Sequence, residues 1–109
     1  MKNAILVIVS SLVLLSAGLA GAQGDAVFQA QRCGVCHKPD TGKTTPSLKE
    51  IAQAYMGKEG QLVQYIKGEA GPIIRAEKSS TMNRYIEKTR LLTDEERKAL
   101  AGFILGRGK

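Results

Sequence analysis

The 109-residue chain carries 16 lysines and arginines against 10 acidic residues, a net charge of +6, with two cysteines and a single histidine. That inventory fits one small domain and excludes a four-ligand structural zinc site, which would need a second cysteine or histidine pair. The basic residues are dispersed and aromatics are few, so nothing marks a nucleic-acid interface.

The chain opens as an export segment. Met1-Lys2-Asn3 gives a short positive start, Ala4 to Leu19 is almost wholly apolar, and Ala20-Gly21-Ala22 has the small-residue pattern of a signal-peptidase site. Cleavage after Ala22 is expected, leaving residues 23–109 as one domain. An uncleaved anchor fits less well, because Ser10, Ser11, Ser16 and Gly18 interrupt a run already short for a span. No cysteine follows the run to take a lipid. The expectation is therefore no stable membrane insertion after cleavage. Losing Lys2 leaves 15 basic against 10 acidic residues.

Gly24 to Gln31 reads as a short helix, with Asp25 suited to its N-terminus and Gly24 and Phe28 on one side. It runs into Cys33-Gly34-Val35-Cys36-His37, a C-x-x-C-H attachment run for a c-type haem. The spacing suits two thiols bonding one porphyrin edge while the adjacent histidine meets the iron from one face. A thioredoxin-like pair would sit in a βαβ pattern, which is absent, and a plain disulfide would leave His37 unexplained. Haem c is attached outside the cytoplasmic membrane, which agrees with export and places the protein in the periplasm. So small a domain has a thin core, and the expected apo-protein is poorly folded.

Residues 38–46 form a loop rich in breakers, ending at Pro46. A carbonyl in this loop is expected to accept the Nδ1–H of His37 and orient the ring. Ser47 to Tyr55 is a helix with Ser47 as N-cap and Glu50 three residues on. Leu48, Ile51, Ala52 and Tyr55 form its buried stripe, and Met56 is expected to pack with them before Gly57 ends it. Glu59 to Lys67 is another helix, with Leu62, Val63 and Ile66 inward and Gly68 as its stop. Ile73 to Arg90 has weak periodicity. Thr93-Asp94-Glu95-Glu96 is a capping box opening a last helix, with Ala99, Leu100, Phe103 and Ile104 as its stripe and Gly106 as its end. No alternating β pattern occurs, so the fold class is all-α, with about four to five helices wrapped around one covalently attached haem.

A second axial ligand cannot be histidine, since His37 is alone. Met56, Met82, a lysine or an open site remain. Met82 stands 45 residues past His37, far enough for two helices and a turn to intervene. Tyr55, Tyr65, Arg75 and Arg84 are candidates to bond a haem propionate.

Taken together, the early C-x-x-C-H run, Pro46-Ser47-Leu48, a late methionine, and a last helix entered through Leu92-Thr93-Asp94-Glu95-Glu96 resemble a class I cytochrome c of the small bacterial monohaem type. The resemblance covers the whole mature chain. It implies that Pro46 buttresses His37, that Met82 is the distal ligand, and that Gly24 and Phe28 meet Leu100 and Phe103 where the first and last helices cross. One departure is the absence of proline beside Met82, where an extra helical turn would bring Tyr85 and Ile86 over the haem. The resemblance also implies a soluble, monomeric electron carrier, not an enzyme, with no catalytic residue, passing electrons between redox protein partners. The basic surface suits acidic ones. The alternative is a peroxidase-like haem enzyme or a gas sensor, either of which needs an open distal face.

Overall fold

In the computed structural model the described residues are 23–76 and 80–107, and the expected export segment, residues 1–22, lies outside them. Helix α1 covers residues 23–30. A 3-10 turn follows at Cys33–Val35, then α2 at Leu48–Ala54, α3 at Glu59–Lys67, α4 at Ser80–Thr89 and α5 at Asp94–Arg107. Among the described residues there is no strand, and the all-α class I arrangement stands. No helix among them is long and apolar enough to cross a membrane.

Local chemistry sets most of these boundaries. The side chain of Ser47 accepts the Glu50 N–H at 3.1 Å, satisfying one of the open donors at the start of α2. At α5 the capping is reciprocal: Thr93 Oγ1 accepts the Glu96 N–H at 3.1 Å, and Glu96 Oε1 accepts the Thr93 N–H at 2.9 Å. Helix α3 ends at Gly68, as its sequence predicts.

Helix α5 is the axis of the packing. It lies against α2 and α3, and α4 packs on α3. Its buried face is Arg97, Leu100, Ala101 and Ile104, so Leu100 and Ile104 lie inward as expected while Ala99 and Phe103 are only half-buried. Helix α1 closes on α5 through aromatic contact: the Phe28 and Phe103 rings are tilted by 51° with centroids 5.0 Å apart. The core also takes in Val27, Leu48, Ile51, Tyr55, Leu62 and Ile66.

Two local expectations are corrected. Met56 does not pack in the core and is 74% exposed. Helix α2 stops at Ala54, Tyr55 leaves helical geometry (φ −97°, ψ 13°), and Met56 falls in the following turn, so the 3.6-residue period no longer governs it. Nor does Gly106 end α5, which continues to Arg107. A glycine disfavours a helix interior by only about 1 kcal/mol relative to alanine, too little to break a helix so well packed.

Candidate haem site

The C-x-x-C-H run is folded into a tight turn. Arg32 has left-handed backbone geometry, φ 59°, and reverses the chain out of α1. The Cys33 carbonyl then accepts the Cys36 N–H at 3.4 Å and the His37 N–H at 2.9 Å. This short coil brings Cys33, Cys36 and His37 to the wall of one cavity. The thiols are free, Cys33 half-buried and Cys36 exposed. Burial pushes the Cys33 thiol above its usual range, with its backbone hydrogen bond acting weakly the other way.

His37 is buried, and its Nδ1 donates to the Pro46 carbonyl at 2.8 Å. A carbonyl oxygen can only accept, so the proton sits on Nδ1 and the lone pair remains on Nε2. Burial lowers the imidazole pKa, and the Pro46 contact offsets this in part, so the ring is neutral near pH 7. A neutral imidazole oriented through its other nitrogen is the form that ligates a metal.

The loop that delivers Pro46 is closed at its base. The Lys38 carbonyl accepts the Leu48 N–H at 2.8 Å, and the Pro39 carbonyl accepts the Lys49 N–H at 3.1 Å. Inside the loop a β-carbon on Gly42 would come within 2.3 Å of the Thr45 carbonyl oxygen, so only glycine fits that close pass. Arg75 straps the loop from outside. It donates to the Lys43 carbonyl at 2.6 Å and to both carboxylate oxygens of Glu50, at 3.0 and 2.9 Å. Its own backbone is left-handed, φ 47°, an uncommon conformation for a side-chain-bearing residue.

The cavity enclosed by these elements has a volume of about 620 Å³, within the size range of cofactor sites. Phe28, Leu48, Ile51 and Leu62 contribute apolar walls, and α4 presents Met82, Tyr85, Ile86 and Thr89 along one face, spaced i, i+3, i+4, i+7. Cys33, Cys36, His37 and Met82 thus all line the same space, and Met56 does not. Of the propionate candidates, Tyr55, Tyr65 and Arg75 line the cavity, whereas Arg84 is exposed and outside it. The Tyr55 hydroxyl accepts the Ile73 N–H at 3.4 Å, and burial raises both phenol pKa values, keeping the hydroxyls protonated.

This donor set is wrong for a bare ion, because among the described residues no cluster of three or more His, Cys, Asp or Glu could hold one. It fits an iron that arrives inside a flat apolar macrocycle. Two thiols lie at the wall for covalent attachment, and an imidazole has its lone pair free. Residues 21–107 match the family model described as Cytochrome c. The chain belongs to the cytochrome c family. Cytochrome c-551 of Stutzerimonas stutzeri is 34% identical over 89 residues, spanning 75% of this chain and 74% of that protein. As a small class I cytochrome c, the chain is a haem c electron-transfer protein and not an enzyme.

Sequence reasoning did not single out Arg97 or the close pass at Gly42. It expected only an extra helical turn at Met82, bringing Tyr85 and Ile86 over the haem, where the structure has the whole of α4 with both residues lining the cavity. Arg97 had a legible signal: it lies three, four and seven residues before Leu100, Ala101 and Ile104, a charge on the apolar face of α5.

Proposed function

We propose that this cytochrome c is a soluble, monomeric, periplasmic one-electron carrier, exported by cleavage after Ala22 and serving redox protein partners of a respiratory chain. Cys33 and Cys36 would hold the haem through thioethers, with His37 Nε2 as proximal ligand and Met82 sulfur as distal ligand. When bound, the haem supplies a reversible one-electron change at iron. The observation carrying this reading is that all four residues line one largely apolar cavity, although Met82 comes from a distant helix.

The protein's own residues set the terms of that change. The Pro46 carbonyl holds His37 in one tautomer and one orientation. A thioether on the other face favours the reduced state, and apolar surroundings push the same way. With His37 and Met82 both holding the iron, no place would remain for peroxide or a gas, and fixed ligands would need little rearrangement as the charge changes. The positive surface suits acidic partners. Lys38 and Lys43 are exposed beside the attachment turn and its loop, where their charge steers encounter.

The deciding experiment is optical. The ferric holoprotein is expected to show the charge-transfer band of a methionine-bound haem, and the reduced protein to resist carbon monoxide. Met82→Ala should abolish the band, admit carbon monoxide and lower the potential. Rapid carbon monoxide binding by the unaltered protein would instead favour an open-site enzyme or sensor. Reversing the charge of Lys38 and Lys43 should slow reaction with an acidic partner at low salt and matter less as salt rises.

A further inference from the structure

Helix α4 carries Met82 but is anchored at its other end. The residues it buries are Ile86 and Thr89, both in its C-terminal half. There the Thr89 hydroxyl donates to the Ile66 carbonyl of α3 at 2.6 Å. The second tether is a side chain of α5. Arg97 is 4% exposed, and its Nη1 donates to the carbonyls of Thr89 (3.2 Å), Arg90 (2.9 Å) and Leu92. Its Nη2 donates to Asp94 Oδ1 at 2.5 Å.

A buried guanidinium is costly unless its charge and its donors are met, and in Arg97 both Nη groups are met while Nε has no partner. Here one planar group answers the carbonyls that terminate α4, at the negative pole of that helix, and takes its counter-charge from the first turn of α5. Thr89, seven residues beyond Met82, lies on the same face about 10 Å along the axis, so a rigid helix carries the placement of one end to the other. Alanine or leucine at position 97 would complete the α5 stripe with Leu100, Ala101 and Ile104. The chain instead has the one side chain able to grip three carbonyls and a carboxylate together.

We propose that Arg97 is a positioning residue for the distal ligand: by clamping the C-terminal end of α4 to the start of α5, it sets where Met82 stands in the haem cavity. The proposal rests on Met82 being the distal ligand, and its test separates the two claims. In the ferric holoprotein, the methionine charge-transfer band and the far-ultraviolet helical signal are followed through one denaturant titration. The reduced protein is then mixed with carbon monoxide. Arg97→Leu is expected to lose the band at a lower denaturant concentration than the helices, and to bind carbon monoxide about tenfold faster, as the loss of hydrogen bonds from a charged group would allow. Arg97→Lys keeps the charge but not the fork, and should fall between Arg97→Leu and the unaltered protein. It carries the same comparison if Arg97→Leu does not accumulate.

Band and helices lost together at one midpoint, with an unchanged carbon monoxide rate, would reduce Arg97 to general stability and overturn the proposal. Met82→Ala, run in parallel, tests the ligand itself. If that variant keeps the band, the ligand reading fails and the clamp fails with it. If it loses the band while Arg97→Leu behaves as the unaltered protein, only the clamp is wrong.

Discussion

The carbonyl oxygen of Ala99 occupies the ground that a β-carbon on Gly24 would need: the separation would be 2.5 Å, with the Phe103 β-carbon at 3.0 Å. The first and last helices therefore approach to backbone contact, and the Phe28–Phe103 pair closes the junction beside it. Because α1 runs directly into the attachment turn, this junction fixes where Cys33 begins.

Gly24→Val should force α1 away from α5. The obstruction is backbone, which cannot rotate aside, so the cost is expected at about 1–3 kcal/mol, typical of overpacking. For a domain of this size each kcal/mol lowers Tm by roughly 4–8 °C. Thermal unfolding of the holoprotein measures it. An unchanged Tm would mean that the two helices part without penalty.

Met56 offers the complementary test. At 74% exposure and outside the cavity, it has little packing to lose. Met56→Leu should alter stability by no more than about 0.5 kcal/mol, as surface changes usually do. It should leave the ferric methionine band intact. Loss of that band in Met56→Leu would transfer the distal role from Met82 to Met56.

The contrast between those two methionines shows how far the sequence could be read. The attachment turn, the Ser47 cap and the Thr93–Glu96 box were legible, because each depends on short-range chemistry with characteristic residues at set spacing. A loop carbonyl for His37 was expected too, but its place at Pro46 followed from the family resemblance. Helix α4 was not. Its inner face, Met82, Tyr85, Ile86 and Thr89, keeps the helical spacing but holds a single aliphatic residue, because most of it faces the cavity, so the usual apolar stripe is weak in the sequence. Met56 was misread for the opposite reason: an apolar residue next to a good stripe is pulled out of register once the helix ends. Gly42 and Arg97 act through backbone groups that no residue pattern announces, and only the folded loop and the α4–α5 corner reveal what they meet.

Asp94 makes the same corner sensitive to acid. The hydrogen bond from Arg97, then the charge of Lys67, holds its carboxyl below the usual carboxylate range. A carboxyl depressed in the folded state favours folding while ionised. Its contribution is complete above the unfolded value, about 3.9 for aspartate, and disappears as pH falls through the lower folded value. Asp94 itself is solvent-exposed, so salt and water screen much of the effect. Asp94→Asn cannot ionise, and should be less stable than the unaltered holoprotein from pH 7 down to about pH 5. As pH falls through the lower folded value the two should converge, because acid then removes from one what substitution removed from the other. Thermal unfolding of both proteins as pH is lowered reads the difference directly. A gap in Tm that stays constant to the lowest pH would show that Asp94 acts through shape and not through charge, leaving Arg97 to find its counter-charge elsewhere.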